Sequence, residues 1–335
     1  MFEKINLQLF AESDFSLNTN VTTANVEGVN DLTPEMKTFY DKVLLKEAQA
    51  NLVHDQFGQK RNIPKNGGKT IEFRKFDSLP KATEPLTEGQ TPNGNKLNVR
   101  DYTATVEQYG DYIVQSDVLE LTAIDNTIVE ATQILGNQAG LTLDTVVREK
   151  LAEGTNVLYA PKEDGTVVTT TAGITTDCKL TVGVVKRAAT ILKRVNAPKI
   201  DGYYVAIIHP DASFDLTNDP AWIDVQKYAT PENMLTGEIG KVHGVRFVES
   251  TEAKIKMNGE VPVYCTLFLG ANAYGTTEVE GGGLQIIVKQ KGAGEDPLNQ
   301  RSSVGWKALK TARILIEQYM LRVESSSSIG LGEAN

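Results

Sequence analysis

Apolar residues recur at three- and four-residue intervals in three parts of the chain, and this spacing predicts helices. The first helix begins at Thr33-Pro34-Glu35, where a capping residue precedes Pro at the first helical position, and continues to about residue 53. The second covers about 118–153 and ends at Gly154, and the third covers 181–196. At 1.5 Å per residue the second helix would be a rod of about 50 Å, long enough to brace the whole subunit.

Alternation of apolar and polar residues predicts two strands, at 66–76 (NGGKTIEFRKF) and 98–115 (NVRDYTATVEQYGDYIVQ). Residues 77–94 between them are rich in Pro, Gly and Thr and have too few apolar side chains to fold alone. Since a two-stranded hairpin is marginal in water unless something covers it, we expect a projecting hairpin whose cover is another copy of the chain.

The region from about 180 to 255 predicts a compact α/β unit, with strands at YYVAIIHP and HGVRFVES and a short helix over SFDLTNDPAW between them. Strand-like segments follow to about residue 325. Because sequence-distant strands after a long helix suggest a sheet packed against that helix, the expected fold class is α+β. The predicted core positions of the α/β unit are Leu192, Ile207, Ile208 and Val245.

Composition narrows the function. The 335 residues carry a formal charge of -9, so the surface as a whole would repel nucleic acid, and any DNA contact must be local. Cys178 and Cys265 stand far apart without a Cys/His cluster, which argues against a zinc site or a disulfide framework and fits a reducing intracellular compartment. The N-terminus is too polar for a secretory signal, and no apolar run is long enough for a membrane-spanning helix.

Candidate catalytic chemistry is confined to His209, which follows an apolar strand and stands near Asp211 and Ser213. A hydrolase centred on His209 is one interpretation. The favoured interpretation is a turn at the strand end in which Asp211 caps the next helix. His54 and His243 lie in unrelated settings, and no glycine-rich segment has the context of a phosphate-binding loop, so we expect no enzyme, no cofactor and no metal site.

The order of parts resembles the major capsid proteins of tailed bacteriophages, which share the Johnson fold of the Hong Kong phage (HK97-like) shell. The stretches DGYYVAIIHPDASFDLTNDPAWIDVQKY and DPLNQRSSVGWKALKTARILIEQYMLRVESSSS look like those of the branch whose type member is the capsid protein of the N4 group of phages. The opening MFEKINLQLFAE is similar to the first residues of many capsid and scaffold proteins from phages of Gram-positive hosts.

The resemblance implies a division of the chain into six segments. These are an N-terminal arm (1–33), an N-terminal helix region (34–64), an extended loop lying over a neighbouring subunit (65–115), a peripheral domain with a spine helix (116–179), an axial domain (180–255) and the closing strands of the peripheral domain (256–335). The implied function is self-assembly into pentamers and hexamers of an icosahedral shell around packaged double-stranded DNA. An encapsulin-like nanocompartment with the same fold is the alternative.

The resemblance also implies interface residues and partners. The interface residues of the extended loop and rim would be Arg74, Lys75, Lys81, Glu84, Glu88, Arg301 and Lys307, and the structural anchors would be Trp306 and Trp222. A cross-link between Lys81 and Asn299 of a neighbour is a further idea, but ordinary exposed surface groups are preferred. The implied partners are other copies of the chain, a separate scaffold protein, a portal protein and loosely held DNA, with no membrane, in a virion assembled in the bacterial cytoplasm.

Overall fold

The computed structural model describes residues 40, 42–48, 52–64, 68–76, 79, 81–83, 85, 88–89, 94–122, 127–227, 240–279, 283–289, 291 and 298–335. The predicted N-terminal arm, 1–33, lies outside these residues. The chain divides into two compact units. The first unit comprises Met1–Ala50, Tyr109–Gly140 and Leu284–Ala308, and the second comprises Asn51–Gln108, Leu141–Gly283 and Leu309–Asn335.

Two helices of the first unit pack closely because glycine leaves room between them. Helix α1 is described at residues 40 and 42–48, and helix α3 spans Thr127–Ala152 and continues into the second unit. A Cβ added at Gly140 would lie 2.5 Å from the carbonyl oxygen of Ala48, and one at Gly136 would lie 3.0 Å from that of Leu44. Each glycine costs a helix about 1 kcal/mol relative to Ala. The close approach of the two backbones explains why glycine occupies both positions.

The sheet of the first unit places β13 between β12 and β4. Strand β4 spans Glu107–Ser116, β12 spans Gln285–Lys289 and β13 spans Arg301–Ile314, and the short helix α2 (Asp117–Thr122) follows β4 directly. Antiparallel pairing of β12 with β13 runs from Gln285 opposite Lys307 to Lys289 opposite Ser303.

The second unit contains a seven-stranded sheet in the order β5-β14-β10-β6-β8-β7, with β9 paired to β10. Its strands are β5 Val157–Tyr159, β6 Tyr204–Ile208, β7 Lys241–Val242, β8 Val245–Glu249, β9 Ile255–Asn258, β10 Val261–Leu269 and β14 Met320–Ser325. The helices of this unit are α4 Val182–Arg194, α5 Pro210–Thr217 and α6 Pro220–Lys227. The predicted core residues Leu192, Ile207, Ile208 and Val245 are all buried.

A second set of strands in this unit joins β1 (Gln59–Ile63), β11 (Tyr274–Val279) and the end of β13. Strands β2 (Thr70–Phe76) and β3 (Val99–Thr105) form a separate antiparallel hairpin with Thr70 opposite Thr105 and Phe76 opposite Val99. Near its base, Phe73 and Ala104 are buried with Leu315.

The structure divides two elements that the sequence pattern predicted as continuous. The segment 98–115 forms two strands, β3 and β4, and β4 pairs with β13 instead of extending the hairpin. The segment 118–153 is recorded as α2 and α3, on either side of residues 123–126, which are outside the description. The pattern did not predict strands β1, β5, β7, β9 and β11.

Candidate functional site

One face of the sheet in the first unit carries an exposed row of three residues across three strands. Ile287 on β12 is paired with Gly305 on β13. A Cβ added at Gly305 would lie 2.7 Å from the Cβ of Tyr112 on β4. Because residues directly opposite in a ladder point to the same side, Tyr112, Gly305 and Ile287 share one face.

Gly305 leaves a trough between the two flanking side chains of this row. The cavity has a volume of about 440 Å³, and its lining includes Tyr112, Ile287, Lys289 and Ser303 together with Gly305. Tyr112 is 69% exposed and Ile287 is 38% exposed. Large apolar side chains exposed side by side are typical of an interaction surface.

Two lysines stand at opposite ends of the trough. Lys289 pairs with Ser303 on one side of the Gly305 row, and Lys307 lies on the other side, where a Cβ added at Gly110 would approach its Cα to 3.3 Å. Both lysines are exposed, and neither forms an ion pair with any residue that the structure describes. The two ends are therefore positively charged.

The opposite face of the same sheet is fixed by a chain of hydrogen bonds. Trp306 is 4% exposed, and its indole Nε1 donates to Oε1 of Gln138 on α3 across 3.2 Å. Nε2 of Gln138 donates to Oδ2 of Asp111 across 2.7 Å, and the backbone N–H of Tyr112 donates to Oδ1 of Asp111 across 2.8 Å. The bonds from Gln138 and Tyr112 lower the pKa of Asp111. This carboxylate is therefore occupied on its own side of the sheet, and the position of Tyr112 is set by the backbone.

The residues predicted from the resemblance lie in both units. In the first unit, Arg301 and Lys307 are exposed on β13, and Trp306 is buried on the same strand. In the second unit, the described interface residues of the hairpin are exposed: Arg74 lies 3.5 Å from Asp101, and Lys81 and Glu88 belong to the tip. The side chain of Lys75 and the whole of Glu84 are outside the described residues.

Trp222 is 1% exposed in the second unit and packs edge-on against Phe247, with ring centroids 5.5 Å apart. Sequence reasoning missed Tyr112 and Ile287. Alternation in both segments was visible, but the exposed face of each strand depends on the neighbouring strands.

His209 has a structural role as the N-cap of α5. Its Nδ1 accepts a hydrogen bond from the backbone N–H of Asp211 across 3.2 Å. The interpretation that Asp211 is the capping residue is therefore wrong, because the imidazole one turn earlier takes that role. The Asp211 carboxylate accepts a bond from the hydroxyl of Tyr264 across 2.5 Å, and burial lowers the pKa of His209. Ser213 is buried, and no hydrogen bond joins its hydroxyl to the His209 ring within the described part of the chain.

A more polar cavity of about 540 Å³ lies in the second unit. It has charged groups of both signs, which partly satisfy one another: Lys150 lies 2.8 Å from Glu153, and Glu317 accepts a bond from the backbone N–H of Thr155 across 3.2 Å. Across the described residues, no group of three or more His, Cys, Asp or Glu side chains is arranged to hold a metal ion. None of the helices described is long and apolar enough to cross a membrane.

Comparison with known proteins gives a family match. A family model of phage capsid proteins matches residues 101–319, which include β4, the spine-like helix α3, the α/β unit and most of the closing strands. The chain belongs to the phage capsid protein family. It is a shell protein of a virion, and its mixed helices and sheets form the HK97-like fold. No curated protein sequence matches it.

Solved structures agree with the fold of this capsid protein. The capsid of cyanophage P-SCSP1u matches with a TM-score of 0.63 at 17% identity, covering 83% of this chain and 89% of that one. The capsid of cyanophage Pam1 matches with a TM-score of 0.62 at 17% identity, covering 82% and 90%.

A virus-like particle from Pyrococcus furiosus is also similar, with a TM-score of 0.52 at 8% identity, covering 86% and 99%. The family match favours a phage shell over the encapsulin-like alternative. Membership of the N4 branch stays a prediction.

Proposed function

We propose that this capsid protein self-assembles into the pentamers and hexamers of an icosahedral shell around packaged double-stranded DNA, with the β2–β3 hairpin and its tip as an intersubunit clamp. The supporting observation is apolar surface on the hairpin. Leu79, Leu97 and Val99 are all exposed. Exposed apolar side chains grouped on a projection are typical of a surface that a partner covers.

Assembly of identical subunits into rings requires a heterologous contact, in which two different surfaces of the chain meet. The chain offers exposed apolar surface on both the hairpin of the second unit and the sheet face of the first. Neighbouring copies would therefore bury surfaces that are exposed on a single subunit.

The remaining partners follow from the same role. A shell that is filled with DNA needs a portal, and a scaffold protein would control its size. Because the net charge is -9, DNA would be held by confinement and by weak local contacts with basic side chains, not by tight binding. Assembly would take place in the cytoplasm of the bacterial host, without a membrane, and the shell protein would have no enzymatic activity.

The test is to replace residues 77–95 by a short Gly-Asn turn. The subunit should fold with nearly unchanged stability, because a shorter loop costs less closure entropy. Shells should not form, because each copy loses interface area. Melting curves and particle counts by electron microscopy on one preparation separate these two effects. Normal shell yield would show that the hairpin is not a clamp, and collapse of the subunit would show that the tip belongs to the core.

A matched pair of point variants sharpens this test. Leu97 and Val167 are both 62% exposed, but only Leu97 lies beside the hairpin. Leu97→Ser should lower shell yield severalfold, and Val167→Ser should leave it unchanged. Equal effects of the two substitutions would mean that general loss of apolar surface, and not the hairpin, limits assembly.

A further inference from the structure

We propose that the trough between Tyr112 and Ile287 binds the N-terminal segment of a neighbouring copy, residues 3–14, with Ile5, Leu7 and Leu9 over Gly305. The proposal rests on the proposed function, since it requires neighbouring copies. It assigns a role to the opening motif MFEKINLQLFAE, which the fold does not use among its described residues.

The shape of the trough suits an extended segment. Its floor is the backbone at Gly305, and its walls are the side chains of Tyr112 and Ile287 on the two flanking strands. Val114 continues the apolar surface along β4, since it lies two residues beyond Tyr112 on the same face and is 52% exposed. The absence of a side chain at Gly305 lets an apolar group of the partner reach the sheet backbone.

The segment has the matching pattern. Ile5, Leu7 and Leu9 alternate with polar residues, so an extended backbone places all three on one side. Their apolar face would cover Tyr112 and Ile287.

Chain length permits a contact with a neighbour. The description of the chain begins at residue 40, which leaves 39 residues before it. At about 3.3 Å per residue, such a length can span on the order of 100 Å when extended.

Charge favours this occupant over the hairpin of a neighbour. Glu3, Glu12 and Asp14 flank the apolar residues of the segment, and Lys4 is its one basic residue. These carboxylates complement Lys289 and Lys307 at the two ends of the trough. By contrast, the exposed apolar edge of the hairpin at Leu97 and Val99 is flanked by Lys96 and Arg100, which have the same sign of charge as the trough.

Disulfide trapping between separate copies tests the proposal. One full-length variant carries Leu9→Cys and another carries Ile287→Cys, and the two are mixed, assembled and mildly oxidised. The native Cys178 and Cys265 are buried and do not compete. We expect a covalent dimer that contains one chain of each kind. The control replaces Ile287→Cys by Ile134→Cys, which places a thiol at an apolar position of α3 that is 62% exposed, and should give no dimer.

The outcomes separate the possible occupants. If shells form and no mixed dimer appears, the proposal is wrong although the proposed function stands. A bond that forms only when both cysteines are in one chain would mean that each copy fills its own trough, which also overturns the proposal. Failure of the unmodified protein to form any shell would count against the proposed function itself.

A double-mutant cycle on assembled particles covers the case in which the cysteine variants do not assemble. Leu9→Ser and Ile287→Ser should each lower the particle melting temperature, and the double variant should melt no lower than the more affected single variant, because both changes remove the same contact. Strictly additive shifts would show that the two residues do not meet.

Discussion

Nζ of Lys310 lies 2.8 Å from Oδ1 of Asp55, and both side chains are almost completely buried in the second unit. Lys60 approaches Oδ2 of the same carboxylate to 3.3 Å from the solvent side. In the preceding residue, Nδ1 of His54 lies 2.6 Å from Oδ2 of Asp144 on α3. The turn before β1 is therefore held to β13 and α3 by two buried pairs of polar groups.

Removing the cation of the first pair should strongly destabilise the subunit. Lys310→Met leaves Asp55 buried beside only the exposed Lys60, and breaking a buried pair from one side costs about 3–5 kcal/mol. Urea unfolding of unassembled subunits measures this loss. Lys307→Met, on the same strand but exposed, should change the free energy of unfolding by less than about 0.5 kcal/mol. Equal effects would show that the burial of Lys310 carries no stability.

The same pair predicts sensitivity to acid. Burial would raise the pKa of Asp55, but the positive charge of Lys310 and its hydrogen bond outweigh burial, so the pKa in the folded protein is lowered. The stabilisation is fully present above the pKa of the unfolded chain, about 3.9, and is lost as pH falls towards the lower pKa of the folded state.

The comparison with Asp55→Asn isolates this effect. The difference in unfolding free energy between the native protein and Asp55→Asn should be constant from pH 7 to about pH 5 and should shrink below about pH 4. Urea titrations at a series of pH values measure it. A difference that does not change down to pH 2 would contradict the role of the ionised carboxylate.

Glycine at position 110 should be required for pairing of β4 with β13. A Cβ there would lie 2.5 Å from the carbonyl oxygen of Trp306, so one strand must move. Gly110→Ala should lower the free energy of unfolding by about 1–3 kcal/mol. Gly94→Ala is the control, because no atom lies within 4 Å of an added Cβ at Gly94. Thermal melts of both variants decide whether the close approach matters.

The N-cap role of His209 predicts a small effect on stability and none on assembly. His209→Ala removes the acceptor for the backbone N–H of Asp211 and should cost about 1 kcal/mol, lowering the melting temperature by a few degrees. Particle yield should match that of the native protein. A hydrolytic activity that is present in purified native protein and absent in this variant would revive the hydrolase interpretation.

DNA binding by purified subunits should be weak and should fall steeply as salt rises. The basic side chains of β13, such as Arg301 and Lys307, are outweighed by the overall charge of -9. Binding of short duplexes, followed by fluorescence anisotropy at several salt concentrations, measures this. Tight sequence-specific binding at physiological salt would require a different account of genome packaging.

The sequence predicted the elements whose residues interact locally. Helix α4 and strands β6 and β10 are marked by helical spacing or by continuous apolar runs, and Leu192 and Ile208 are buried as expected. Strand β1 was missed because QKRNI has no apolar alternation, and it forms through parallel pairing with the distant β11.

The division at Val106 was missed for a related reason. Its backbone N–H still bonds to the carbonyl of Lys69 across 2.8 Å, but the next residues pair with β13. The trough was also beyond sequence reasoning, because it depends on the register that places Gly305 between Tyr112 and Ile287. The family resemblance supplied the function, which no single motif carried.

The amide of Gln138 has a defined orientation, because its oxygen receives the indole N–H of Trp306 and its nitrogen faces the Asp111 carboxylate. Glutamate has nearly the same size and shape, but it can offer only acceptors at both ends when ionised. It could still accept from the indole, but its second oxygen would face another negative oxygen at a distance where the amide now donates. A difference of one NH₂ group therefore changes an attraction into a repulsion between α3 and β4, and glutamine is the side chain of this length that satisfies both neighbours.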